Sequence, residues 1–285
     1  MQWTVGRVKI TKVPEIASVG GSRFILPLGT PEAIQKLPWM VPDYTTPEGR
    51  LKMTVQSWIV ETPTHKIIVD TCIGNDKANR SVPVWNGLDK PFLNDLASAG
   101  YPADTIDTVL CTHLHVDHVG WNTKLVDGKW VPTFANARYL FGKAEYDHWA
   151  AHSTDGEHKA VFEDSVQPIV TAGRADLIDA DHRIGDEVSL IATPGHSPGH
   201  MSVLIKSDGK QALLTGDVAH HPCQMAHLDW SSTADSDPVQ SIEARKMLFS
   251  RFADTPTLVF GGHYDPGYLV RDGDAFKLIA DRNFS

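Results

Sequence analysis

Three histidines and an aspartate fall within six positions of the segment CTHLHVDHVGWN, at His113, His115, Asp117 and His118. Imidazoles packed this closely desolvate one another and repel when protonated, unless a cation shares their lone pairs. Neutral imidazole and carboxylate suit zinc and its first-row neighbours, so the cluster points to a metal site rather than to a polar turn at a strand end.

One turn of chain does not complete such a site, and three further segments supply the rest. ATPGHSPGH places His196 in a turn with Gly195 and Gly199, LLTGD ends an apolar run on Asp217, and TLVFGGH ends another on His263. All three repeat one design: an apolar strand delivers a ligand-type residue at its tip, with glycine close by to permit unusual backbone angles. His113, His115, Asp117, His118, His196, Asp217 and His263 make seven ligands, more than one four-coordinate ion uses. The count fits two divalent ions. At a separation of ~3.5–4 Å such a pair can hold a bridging hydroxide as nucleophile, with Asp217 the natural carboxylate to bridge beneath it. Asp117 is a candidate to orient that nucleophile and carry its proton to the leaving group. Zinc comes first among the metals, and manganese, iron and cobalt accept the same His/Asp set.

The elements that must position these residues are short and regular. Runs rich in Val, Ile or Leu, bounded by Gly, Pro, Asp or Ser, predict strands over 4–12, 53–61, 66–70, 107–111, 188–193, 201–206 and 211–215. Helical patterns cover 91–99, 143–151, 157–171 and 238–253. The last opens on SDP, where Asp237 can cap and Pro238 can take the first helical position, and its apolar residues Val239, Ile242, Met247, Leu248 and Phe252 predict a face docked on a sheet. Hairpins early in the chain and strand–helix alternation later predict mixed sheets with helices on their outer faces.

Composition bounds the partners. The 285-residue chain has no composition shift, linker or repeat that divides it, and reads as one domain over 1–285. A net charge of -9, with no Lys/Arg cluster interleaved with aromatics, repels phosphate backbones and anionic membranes, so nucleic acid is not an expected partner. The N-terminal run alternates like a strand rather than forming a signal peptide, and no run reaches the roughly 18 apolar residues of a membrane span, so the expected location is the cytoplasm. Cys72, Cys111 and Cys223 lack a CxxC spacing and read as reduced, buried small hydrophobes. Trp39, Met40, Trp85, Trp121, Trp149 and Trp230 fall in loop-like stretches and are candidate walls for a small neutral substrate. Residues 25–50 and 71–90 are candidate lid segments or contacts of a homodimer.

HLHVDH, then His196 in TPGHSPGH, Asp217 in TGD and His263 in GGH, resemble in order and rough spacing the ligand set of the metallo-β-lactamase superfamily. IIVDTCIGND is similar to that superfamily's first motif, with Asp70 as a buried carboxylate that supports the ligands or their turn. The resemblance spans about 53–270 and implies an α/β fold, the αββα sandwich of two mixed β-sheets flanked by helices, with the site along one edge. It also implies His113, His115 and His196 on one metal, Asp117, His118 and His263 on the other, and Asp217 between them. Two groups of the superfamily look most similar, the N-acyl-homoserine lactonases and the methyl parathion hydrolase group. Where such lactonases usually offer a tyrosine after the bridging aspartate, this chain has His220, a candidate donor to the oxyanion.

The expected function is therefore a dinuclear metal-dependent hydrolase of a small neutral ester or lactone. Organophosphate triester hydrolysis is the alternative, followed by a glyoxalase II-like thioesterase or a non-hydrolytic iron-dependent member. A thioesterase of that kind needs a basic patch for the glutathione carboxylates, and the sequence offers none.

Overall fold

Apolar strand runs, the central ones such as 108–111 and 201–205 buried on both faces, build two seven-stranded sheets, seen in a computed structural model that describes residues 1–20 and 22–283. The first sheet contains β1 (Gln2–Val5), β2 (Val8–Gly20), β3 (Leu51–Glu61), β4 (Lys66–Val69) and β5 (Thr108–Cys111). A separate ribbon, β6 (Thr123–Val126) and β7 (Lys129–Pro132), precedes the last two strands of that sheet, β8 (Arg138–Gly142) and β9 (Ala175–Ile178). The second sheet runs in chain order through β10 (Arg183–Ile184), β11 (Val188–Ala192), β12 (Met201–Ser207), β13 (Lys210–Leu214), β14 (Leu258–Phe260), β15 (Gly267–Asp272) and β16 (Ala275–Ala280). The pairs β4/β5, β5/β8, β8/β9 and β13/β14 are parallel and the others antiparallel, so both sheets are mixed.

Period-two alternation explains the layering. On β12, Met201, Val203 and Ile205 enter the core between the sheets, where they meet Trp58, Val60 and Leu110 of the first sheet. Leu204 of β12 and Leu213 of β13 point the other way, into a core with α7 (Pro238–Phe252). On the first sheet Ile59, Val109 and Cys111 face outward, under a layer that includes Phe92, Trp149, Val161 and Ile169. These belong to α2 (Phe92–Ser98), α3 (Lys143–His152), α4 (Gly156–Val161) and α5 (Gln167–Thr171); α1 (Pro31–Ile34) and α6 (Cys223–Ala226) lie over the second sheet. The αββα sandwich is thus the observed architecture.

Local departures have local causes. The run 4–12 is a hairpin, because Gly6 adopts φ +61 and reverses the chain between β1 and β2. The stretch 157–171 is interrupted by a π-helical turn over Phe162–Val166 between α4 and α5. Asp237 caps α7 by accepting the Gln240 N–H, with Pro238 at the first helical position. The docked face of α7 is Ser241, Ala244, Arg245, Leu248, Phe249 and Phe252, while Val239 and Met247 are exposed. Hydrophobicity had pointed to Val239 and Met247; the 3.6-residue period through Leu248 excludes both from that face.

Of the segment 25–50, Leu26, Ile34, Met40 and Tyr44 are buried in the core beside the second sheet. In 71–90, the Lys77 ammonium donates to Thr123 Oγ1 at 2.6 Å, and Arg80 Nη2 donates to both oxygens of Asp164 at 3.0 and 2.9 Å. That ion-paired network docks the segment onto the π turn. The three cysteines are buried and free, and among the described residues no helix is long and apolar enough to cross a membrane.

Candidate metal centre

All the ligand-bearing loops follow the C-terminal ends of strands. β11 and β13 are both antiparallel to β12, and β14 is parallel to β13, so all three deliver their loops, with His196, Asp217 and His263, to one edge of the second sheet. β5 brings residues 113–118 to that edge from the first sheet, and the Met201 N–H donates to the Thr112 carbonyl at 3.0 Å, joining the sheets beside the site. Two glycines permit the close approach. Gly195 has φ +133 and a Cβ there would lie 2.2 Å from the Ser241 nitrogen; a Cβ on Gly262 would lie 2.4 Å from Asp217 Oδ1.

The structure brings the seven nominated residues together, and His220 with them. Ligand atoms of His113, His115 and His196 lie within 4.8 Å of one another, as do those of Asp117, His118 and His263. Asp217 lies between the two groups: its Oδ2 is 3.1 Å from His263 Nε2, 3.3 Å from His118 Nε2, 3.6 Å from His196 Nε2 and 4.0 Å from His113 Nε2. His220 Nε2 is also 3.3 Å from that oxygen, which places it among the candidate ligand atoms rather than on an outer loop. His115 and Asp117 are half-buried and the other members are buried, so the site meets solvent at the HLHVDH turn.

The electrostatics call for cations. Burial, reinforced by the surrounding imidazoles, pushes the His113 and His196 pKa values well below the ordinary value, so both are neutral with lone pairs free to donate. Their Nε2 atoms are 3.1 Å apart. Burial is the largest single influence on His263 and His118 and opposes their charge, but the neighbouring carboxylates together outweigh it, Asp217 and Asp117 raising His263 to about 8 and Asp217, Asp70 and Asp117 raising His118 well above its usual value. Burial would raise Asp217, yet the imidazoles of His263, His118 and His220 hold it well below the carboxylate range. His118 Nε2 and Asp217 Oδ1 are buried without a hydrogen-bond partner. Buried imidazole nitrogens converging on one carboxylate, with Asp217 Oδ1 left unpartnered, are the donor set that suits a divalent metal, which would take the place of the protons that His118 and His263 otherwise hold.

Supporting groups fix the ring orientations, and most of them are not legible in the sequence. His118 Nδ1 meets Asp70 at 2.9 Å, His196 Nδ1 meets Asp235 at 3.0 Å, and His263 Nδ1 donates to the Thr54 carbonyl at 3.1 Å. Asp70 also accepts the Thr112 N–H at 2.7 Å. Glu145 accepts the N–H groups of Leu114 and Gly199 and the Trp149 indole, stitching the HLHVDH turn to the His196 turn. His200 Nε2 accepts the Asp217 N–H at 2.9 Å. Glu15 sits at a bulge where the β2/β3 register shifts, and the bulge aims its carboxylate at the N–H groups of Ile73 and Gly74 and the indole of Trp121. His200 shares TPGHSPGH with His196 and was findable; Glu145, Asp235 and Glu15 carry no local signal.

The nominated aromatic walls mostly pack elsewhere. Trp121 stacks on Phe92 in the outer core, Trp230 stacks on His227, Met40 is fully buried, and Trp39 meets Tyr44 edge-on. Trp85 packs against the core beside the first sheet. Trp149 alone among the six has a ring contact with a nominated ligand, edge-on to His115 at 5.5 Å.

Comparison with known proteins agrees with this geometry. The chain is 26% identical over 231 residues to the N-acyl homoserine lactonase AiiA of Bacillus thuringiensis subsp. kurstaki, covering 76% of this chain and 84% of that one. Its fold superimposes on the hydrolase AbOPH with a TM-score of 0.80 at 21% identity, covering 100% of this chain and 98% of the other. AidC, a dizinc quorum-quenching lactonase solved with the product N-hexanoyl-L-homoserine, gives a TM-score of 0.79 at 18% identity, again over 100% and 98% of the two chains. The profile of the Metallo-beta-lactamase superfamily matches residues 52–263, and the chain therefore belongs to that superfamily of metal-dependent hydrolases.

Proposed function

We propose that this chain is a dinuclear metal-dependent hydrolase of small neutral esters or lactones. The observation that carries the reading is the pair of three-ligand groups, His113/His115/His196 and Asp117/His118/His263, arranged about one carboxylate, Asp217. The lactonase homologue and the dizinc lactonase of the same fold support it. Zinc is the first expectation.

Two divalent ions at such a site supply Lewis-acid charge and a water that ionises near neutral pH. The chain's own residues do the rest. Asp117, half-buried at the opening with Oδ2 3.6 Å from His263 Nε2, holds and passes the proton of the attacking water to the leaving group. His220, whose pKa burial pushes down to about 3, is a neutral imidazole and offers a donor to the charge that develops on the carbonyl oxygen. Among the described residues the ion pairs of Asp117 and Asp217 are all with histidines, an arrangement that supports a neutral substrate over a phosphodiester.

The test is kcat/KM for an aliphatic lactone, an aryl ester, a phosphotriester and bis(p-nitrophenyl) phosphate on one batch carrying two metals per chain. The carbonyl substrates should rank first and the phosphodiester last. A phosphodiester ranked first, or a stoichiometry of one metal after reconstitution in excess ion, overturns the reading.

A further inference from the structure

The His196 turn is held from behind by the stretch that leads into α7. The Ser236 N–H donates to the His196 carbonyl at 2.9 Å, the Asp237 N–H donates to the Gly195 carbonyl at 2.8 Å, and Asp235 Oδ1 meets His196 Nδ1 at 3.0 Å. The Asp235 side chain has no solvent exposure. Its Oδ2 accepts the Ser232 N–H at 2.9 Å and lies 3.9 Å from Arg245 Nη2. Arg245, in the middle of α7, is itself wholly buried. Its Nε donates to the Val218 carbonyl at 2.8 Å, Nη1 to the carbonyls of Leu228 and Trp230 at 2.7 and 3.2 Å, and Nη2 to Ser241 Oγ at 3.3 Å.

Val218 follows Asp217 directly, so one guanidinium braces the chain beside the central carboxylate and, through Asp235, the back of a ligand histidine. A buried ion pair adds little net stability over a well-packed apolar replacement. An acceptor behind a ligating imidazole acts differently: it keeps the proton on Nδ1, leaves the Nε2 lone pair outward and makes the ring a stronger donor. Here that lone pair faces His113 Nε2, 3.1 Å away.

We propose that Asp235 is a positioning residue for the metal ion shared by His113, His115 and His196, and that Arg245 anchors both Asp235 and the segment after Asp217. The inference rests on the dinuclear reading above. α7 thereby becomes part of the metal site although it contributes no ligand.

Stepwise Zn²⁺ competition against a chelating dye on the full chain tests it, with thermal unfolding of the metal-free proteins alongside. Asp235→Ala should weaken one of the two metals by about 10–100-fold and leave the other near its wild-type affinity. Asp235→Asn keeps a carbonyl for Nδ1–H and should recover part of that loss. Arg245→Lys should weaken both metals, through Asp235 and through the freed Val218 carbonyl. With Co²⁺ loaded, the exchangeable Nδ1–H resonance of His196 should exchange faster with solvent in Asp235→Ala. Unchanged affinities in Asp235→Ala, or an equal fall at both sites that tracks a lower melting temperature, overturn the proposal. A wild-type chain that takes up one metal overturns the dinuclear reading instead, and the same Asp235→Ala comparison on that one metal still decides whether Asp235 positions it.

Discussion

His118 faces two ways: its Nδ1 lies 2.9 Å from Asp70 Oδ2, while its Nε2 points into the ligand cluster without a hydrogen-bond partner. Asp70 occupies φ +58, a left-handed conformation that asparagine tolerates, so Asp70→Asn changes the charge without straining the backbone. The variant should fold and lose about 10–100-fold in affinity for the metal proposed to sit among Asp117, His118 and His263. Wild-type affinity for both metals in a chelator competition would show that the Asp70–His118 contact supports only the turn.

Variants at Asp217 and His220 test the proposed roles of bridge and donor. Asp217 Oδ2 lies 3.3 Å from Nε2 of both His118 and His220, so Asp217→Ala should abolish the shared carboxylate, lower metal stoichiometry below two and remove most activity. His220→Ala should keep both metals and lower kcat by about 10²-fold, the usual cost of losing one donor to an oxyanion. Elemental analysis next to turnover distinguishes the two roles; metal loss in His220→Ala would make His220 a ligand.

Gly195→Ala should be costly through packing behind the site. The new Cβ would meet Ser241 at the start of the α7 core face, on a φ of +133 that side chains rarely adopt. Strain and overpacking together predict a loss of about 2–4 kcal/mol. Calorimetry should show the melting temperature falling by several degrees, with reduced metal uptake because His196 is the next residue.

Lys77 carries a pH signature. Burial is the largest influence and pulls its pKa down to about 7, against the opposing pull of Asp164. Unfolded, the same lysine holds its proton to about 10.4. Between those values the unfolded chain binds more protons, so this residue's contribution to stability rises with pH from about 7 to about 10. Lys77→Met should therefore be least harmful near pH 7 and lose ground to wild type as pH rises. Urea unfolding of both proteins at pH 7, 8.5 and 10 measures this; a constant difference would place the ammonium in a more solvated setting.

The candidate site was legible because ligand-type residues cluster in one turn and recur at the ends of apolar runs. His113, His115, Asp117 and His118 share one turn, and His196, Asp217 and His263 each end an apolar run, so a one-dimensional reading collects all seven. Layering was legible for the same reason, since strands buried on both faces leave unbroken apolar runs. On α7 the nominated Leu248 and Phe252 lie on the buried face, but Val239 and Met247 are apolar yet exposed, while that face also carries the polar Arg245, whose donors are satisfied by loops distant in sequence. The supporting shell was decided by tertiary structure alone. Asp235 reaches His196 across 39 positions and Glu145 reaches Gly199 across 54. A carboxylate's role depends on which N–H it meets, and that pairing exists only once β5 and the ends of β11, β13 and β14 are brought to a common edge.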